Sequence, residues 1–250
     1  AGYEVTGFDL NRDALIKFCD AGGSKASSVH EVAHHKEVIF TMLQTGEQVK
    51  RVCLGEQGFY RFGANVLHID CSSIDVQSAQ ELHEQAAVHK ISMIDAPVSG
   101  GVRGAEAGTL TLMVGGEEVV VDQAMPYLEV IGKKVIHTGS AGTGQAAKIC
   151  NNMILGISMI AISEAFVLAG ELGLSAEKLF EVVTNSSGQC WAISKYAPVP
   201  GLIPEAPASH DYQPGFSTAM MLKDLKLSQQ SALAVNVNTQ LGQHATEIYQ

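Results

Sequence analysis

The chain has 250 residues, 46% hydrophobic and 17% charged, which describes a globular protein with room for one or two domains and a sizeable core. A net charge of -10, the lack of any basic run and a single Trp speak against a nucleic-acid surface. Cys19, Cys53, Cys71, Cys150 and Cys190 form no CxxC or Cys/His cluster, and His34-His35 reads as a solvated pair rather than as metal ligands. The expectation is therefore reduced, mostly buried thiols and no metal site, with Cys150 a small core residue or, two residues after Lys148, a reactive thiol.

The N-terminal half alternates β-rich and helical runs. Tyr3 to Asp9 reads as a strand, followed by a helix from about Asn11 to Ala21. Strands follow at Glu37 to Leu43, Val66 to Cys71 and Ile91 to Ala96, with helices from about Glu47 to Leu54 and Asp75 to His89 between them. Leu110 to Val114 and Lys134 to Thr138 read as two further strands flanking a helix around Glu117 to Val130. Alternation of this kind predicts a parallel, doubly wound sheet covered on both faces.

From Gly142 the pattern becomes helical. Gly142 to Gly173 reads as one uninterrupted helix, roughly 45 Å long at about 1.5 Å per residue. It has no formal charge between Lys148 and Glu164, which predicts burial of most of its circumference. A helix over Ala176 to Thr184, a Pro-rich loop over Ser186 to Gly215 and a last helix from about Ser217 complete the chain. The expected domains are 1–140, an α/β unit, and 141–250, an all-helical unit. No membrane span is expected, because Asn151, Asn152, Ser158, Ser163, Glu164 and Glu171 punctuate the most apolar stretch. No signal or transit peptide is visible, and the chain begins with Ala rather than Met.

A dinucleotide fold opens with strand, GxGxxG and helix, the phosphate resting on N–H groups at the helix start. That fingerprint does not occur in place. Gly139 to Gly144 (GSAGTG) has the wrong spacing and reads as a helix-entry loop. Asp9 closes its strand where a carboxylate would accept both ribose hydroxyls, or where it simply caps the next helix. Asp95 to Gly101 (DAPVSGG) offers freed backbone N–H groups and the Ser99 hydroxyl as a carboxylate cradle, or serves as a Gly-rich turn. Lys148 and Asn152 share one helix face, suited to moving a proton and orienting an oxygen, or to a structural contact. Lys223-Asp224 reads as a solvated helix face.

Together these stretches resemble the β-hydroxyacid dehydrogenases. The resemblance rests on DAPVSGG at 95–101, GTLTLMVGG at 108–116, GTGQAAKICNNM at 142–153, SSGQCW at 186–191, YAPVPG at 196–201 and KDL at 223–225. It covers essentially the whole chain, and the SSGQCW and YAPVPG segments resemble the hydroxyisobutyrate branch. The resemblance implies a Rossmann-like sheet and a helical domain joined by a long interdomain helix. It implies NAD-dependent oxidation of 3-hydroxyisobutyrate to methylmalonate semialdehyde in valine breakdown. Related reductases of tartronate or succinic semialdehyde, and a non-catalytic interaction module on the same fold, are the alternatives.

By the same resemblance Lys148 matches the catalytic lysine. Ser99, Gly100, Gly101 and Asn152 match substrate-binding positions. Asp9, Leu43, Gln44, Gln48, Ser73 and Lys223 match cofactor positions, with Gln44 standing where relatives usually carry Pro. A small hydroxyacid, a homodimer or homotetramer, and a mitochondrial (eukaryotic) or cytoplasmic (bacterial) location are the further expectations. The family's first strand and its GxGxMG loop would precede Ala1 and its last helices would follow Gln250. The expected sheet therefore has its first strand missing, with NAD binding and activity weakened or absent.

Overall fold

A computed structural model describes residues 2–62, 65–213 and 215–250. Ala1, and Pro214 of the expected Pro-rich loop, lie outside the described residues. The chain divides into two compact units, Ala1–Lys148 and Ile149–Gln250.

The N-terminal unit begins with β1 (Thr6–Gly7), α1 (Arg12–Asp20), β2 (Ser24–Lys25) and α2 (Val29–Ala33). It continues through β3 (Val38–Thr41), α3 (Gly46–Leu54), β4 (Leu67–Asp70), α4 (Val76–Val88) and β5 (Ser92–Asp95). Then come β6 (Val98–Ser99), α5 (Gly101–Glu106), β7 (Leu110–Gly115), α6 (Glu118–Ile131) and β8 (Gly132–Gly139). β3, β4 and β5 pair in parallel, as the alternation of strands and helices predicts. Past β5 the sheet reverses: β7 runs antiparallel to β5 and β6, with β8 parallel to β7. Hydrophobic runs carry no information on direction, so this reversal is a property of the connection through β6 and α5.

The first predicted strand is shorter than Tyr3 to Asp9. Only Thr6–Gly7 pairs, and β1 with β2 forms a separate two-stranded parallel sheet. Among the described residues no strand bridges β1 and β3, so the backbone of Tyr3 to Val5 has no ladder to extend. Lys36 Nζ donates to Thr6 Oγ1 at 3.0 Å and links the two sheets.

The six-stranded sheet buries both faces. Ile69, Cys71, Ile94, Leu112 and Val114 pack with Val120, Val121, Ala124 and Leu128 of α6. The opposite face packs Met93 with Val49, Cys53, Ile74, Ala79, Leu82 and Ala86. Alternation along β4 therefore turns Leu67 and Ile69 to one side and His68 and Asp70 to the other. Helices start where local side chains accept their first N–H groups. Asn11 caps α1, Ser28 caps α2, Thr45 caps α3 and Asp75 caps α4.

The long helix α7 (Thr143–Glu171) begins in the N-terminal unit and runs into the second. The expected burial does not hold: 17% of its most apolar window is buried, with Ile154, Val167 and Leu168 exposed. An apolar circumference measures what a helix can bury, and within one chain only part of this one is covered. Its length and composition alone would also suffice to cross a membrane. Cys150 is exposed on it, against the expectation of a core position.

The C-terminal unit adds α8 (Ala176–Thr184), α9 (Trp191–Tyr196), α10 (Thr218–Ala234) and α11 (Gln240–Tyr249). Met221 and Leu225 of α10 and Ala245 of α11 form a core with Met153, Leu155 and Ile157 of α7. Ile162, Ala192 and Ile193 anchor a second cluster. Within the predicted Pro-rich loop, α9 stacks Trp191 on Tyr196 with ring centroids 5.5 Å apart.

Candidate active site

Lys148 is buried in the N-terminal unit, placed in the second turn of α7. Its Nζ donates to Val98 O at 2.7 Å. That carbonyl immediately precedes Ser99, Gly100 and Gly101, so lysine and glycine loop are in direct contact. Ser99 is half-buried and both glycines are exposed. Gly100 and Gly101 have φ values of +136° and +63°, a backbone region that disfavours L side chains. The turn reading and the cradle reading of DAPVSGG are therefore compatible: the glycines make the turn, and the turn exposes their N–H groups beside a lysine.

The strand ends hold the expected cofactor positions. Asp9 is exposed beyond β1, and its Oδ1 accepts from Asn11 N at 2.7 Å. Leu43 follows β3, its N–H donating to the buried Ser72 Oγ at 2.8 Å. Gln44 N donates to Gln48 Oε1 at 3.0 Å, so these two form one local contact at the start of α3. Ser73 is half-buried beside Ser72. Ser72 N donates to Asp70 Oδ1 at 3.1 Å, and Thr41 Oγ1 donates to the same oxygen at 2.7 Å. Thr41 also meets His68 Nε2 at 2.8 Å, and His68 Nδ1 meets the Tyr60 hydroxyl at 2.8 Å. Burial pushes the Asp70 carboxyl up to about 6 against these hydrogen bonds. Burial likewise lowers His68 to about 3, so its imidazole is neutral.

In the C-terminal unit Asn152, one turn along α7 from Lys148, is buried. Its Nδ2 donates to Asp224 Oδ2 and its Oδ1 accepts from Asn151 Nδ2 at 2.9 Å. The expectation of a solvated KDL face fails at Asp224, which is buried because it holds this amide. Lys223 is half-buried, and burial lowers its pKa against the opposing pull of Asp224.

Ser72, Asp70, Asp95, Gln145 and Asp224 escaped the sequence reading as functional positions. Asp95 and Gln145 lay inside quoted motifs, but their partners are distant in sequence. Among the described residues no group of three His, Cys, Asp or Glu side chains is placed to hold a metal ion.

Residues 1–139 match the family model of the NAD binding domain of 6-phosphogluconate dehydrogenase. Residues 142–250 match that of the NAD-binding segment of NADP-dependent 3-hydroxyisobutyrate dehydrogenase. A Mycobacterium tuberculosis protein named probable 3-hydroxyisobutyrate dehydrogenase is 47% identical, over 100% of this chain and 84% of its own. A Pseudomonas aeruginosa NAD-dependent L-serine dehydrogenase is 40% identical, over 100% of this chain and 84% of its own. The solved M. tuberculosis 3-hydroxyisobutyrate dehydrogenase with L-serine superposes at a TM-score of 0.94, with 46% identity over 99% of this chain and 84% of its own. Relatives from Dictyostelium, Arabidopsis and Drosophila are named mitochondrial.

Loops gathered at parallel strand ends, with a buried lysine beside a glycine-rich loop, fit the class to which these relatives point: a nicotinamide-dependent dehydrogenase. The chain belongs to the 3-hydroxyisobutyrate dehydrogenase family, a branch of the β-hydroxyacid dehydrogenases. It is an enzyme and its cofactor is NAD. The residues fit that cofactor: the exposed Asp9 carboxylate supplies an acceptor suited to ribose hydroxyls, and the Leu43 backbone is pinned where β3 ends.

Proposed function

We propose that the chain oxidises 3-hydroxyisobutyrate to methylmalonate semialdehyde, with Lys148 as general base. The carrying observation is the 2.7 Å contact between Lys148 Nζ and Val98 O, which seats the side-chain amine beside the Ser99–Gly101 loop. Ser99, Gly100 and Gly101 hold the substrate carboxylate through backbone N–H groups and a hydroxyl. Asn152, a turn further along α7 and steadied by Asp224, orients the substrate oxygen. Lys148 takes the hydroxyl proton as the carbon gives up its hydride, because a developing alkoxide needs that proton removed. NAD, when bound, accepts the hydride.

Asp9, Leu43, Gln44, Gln48, Ser73 and Lys223 are the proposed cofactor contacts, and 1–140 and 141–250 the proposed functional division of the chain. Valine breakdown is the proposed setting, in the mitochondrial matrix of a eukaryote or the cytoplasm of a bacterium. The exposed apolar side of α7 supports a homodimer or homotetramer.

A second reading has L-serine as substrate. It is favoured by the 40% identical L-serine dehydrogenase and by the relative solved with L-serine. L-serine and 3-hydroxyisobutyrate are both 3-hydroxyacids, differing in an ammonium against a methyl group. Comparing kcat/KM for 3-hydroxyisobutyrate, L-serine, and the tartronate and succinic semialdehydes in reverse separates the readings. The highest value for 3-hydroxyisobutyrate is expected; a higher one for L-serine or for a semialdehyde overturns the assignment.

A further inference from the structure

Among the described residues six helices start on a local Asn, Ser, Thr or Asp cap: α1, α2, α3, α4, α8 and α10. The helix that carries Lys148 starts after Gly142, which has no side chain to offer. Its cap comes from Asp95 at the end of β5. Asp95 Oδ1 accepts from Gly142 N at 2.8 Å and Oδ2 accepts from Gln145 N at 3.0 Å. His83 Nε2 of α4 completes the carboxylate at 2.9 Å from Oδ1. The carboxylate is fully buried.

Two glycines make room for it. A Cβ on Gly115 would lie 2.7 Å from Asp95 Oδ1. One on Gly144 would lie 2.4 Å from Met113 O and 2.7 Å from Asp95 O. Backbone of α7 thus meets backbone of β5 and β7 with no side chain between them. Gln145 adds a second tie, its Nε2 donating to Ser72 O at 2.8 Å and its Oε1 accepting from Ile74 N at 3.1 Å. These contacts account for four residues of GTGQAAK: Gly142 for entry, Gly144 for close approach, Gln145 for the tie and Lys148 for the contact with Val98 O.

The connections close a ring. Asp95 and Val98 lie three residues apart on the segment leading into the glycine loop, and Gln145 and Lys148 lie three apart on one turn of α7. Asp95 holds Gln145 N, and Val98 O holds Lys148 Nζ. We propose that Asp95, seconded by Gln145, is the positioning residue for Lys148. It fixes the proton acceptor against the glycine loop and, through Ser72 and Ile74, against the loop that carries Ser73. This inference rests on the reading of Lys148 as the base. Carboxylate-to-amide hydrogen bonds in a buried site are short and strong, so the device is stiff.

The test compares Asp95→Asn, Asp95→Ala, Gln145→Leu and Lys148→Ala, reading kcat, NAD dissociation constant and the isotope effect with substrate deuterated at the hydroxyl carbon. Asn keeps one acceptor oxygen and Ala none. Displacement of the base should lower kcat by about 10- to 100-fold, more for Ala than for Asn. NAD affinity of the Asp95 variants should hold, and their isotope effect should depart from wild type. A fall in the folded fraction lowers kcat without moving the isotope effect, so the two causes separate. If neither Asp95 variant folds, Gln145→Leu, which keeps the backbone cap, carries the same isotope-effect criterion. Wild-type kcat and isotope effect in the folded variants, with Lys148→Ala inactive, overturn the positioning role alone. Wild-type turnover by Lys148→Ala overturns the reading of the base instead.

Discussion

Asp70 shows how one residue ties the core to the cofactor side. Its Oδ1 holds Thr41 and Ser72, whereas its buried Oδ2 meets no partner among the described residues. Burial raises its pKa from 3.8 to about 6. A carboxyl whose folded value lies above its unfolded value favours folding only while protonated. Its contribution is therefore full below the unfolded value and is lost as pH rises through about 6. The loss amounts to about 3 kcal/mol at most. Asp70→Asn stays neutral, so its Tm relative to wild type should rise between about pH 4 and pH 7.5. Thermal melts across that range check this; a pH-independent difference contradicts it. None of this was legible in the sequence, where Asp70 falls unmarked inside the predicted strand Val66 to Cys71. The orphan oxygen exists because β4 turns His68 and Asp70 together into an apolar layer that Thr41 satisfies in part.

At the scale of elements, the parallel strands β3 to β5 and helices α1, α3, α4, α7 and α8 were legible because short apolar runs and cap residues are local signals. The reversal at β7 and the shortening of β1 were not, since pairing direction and ladder partners are set across the fold. The same limit hid the cap of α7, whose acceptor lies 47 residues before Gly142. Nor does composition say which side of an apolar helix its own chain covers. The close seating of α7 carries a prediction. Gly144→Ala drives a methyl group into the Met113 carbonyl and should destabilise the fold by about 1–3 kcal/mol. Denaturant midpoints measure this, and an unchanged midpoint would show that the helix start has slack. Gly170, where an added Cβ meets nothing, has no such steric cost.

For the whole molecule, Ile154, Val167, Leu168 and Leu172 leave an apolar side of α7 and its end exposed in the single chain. Sedimentation should show a dimer or tetramer, and Val167→Lys with Leu168→Lys should shift it toward monomer. A monomeric wild-type chain contradicts the proposed assembly. Of the candidate site, the lysine, the glycine loop and the strand-end positions were readable because motif spacing and family resemblance point at the groups proposed to touch ligands. Their supports, Asp95, Gln145, Ser72 and Asp224, were not, because each acts on a partner far away in sequence. The central claim is that Lys148 moves the substrate proton. Its most direct test is steady-state oxidation of 3-hydroxyisobutyrate with NAD by wild type and Lys148→Ala, alongside NAD binding by fluorescence titration. The account predicts a loss of turnover of about 10²- to 10⁴-fold with NAD affinity retained. Turnover near wild type in Lys148→Ala would contradict it.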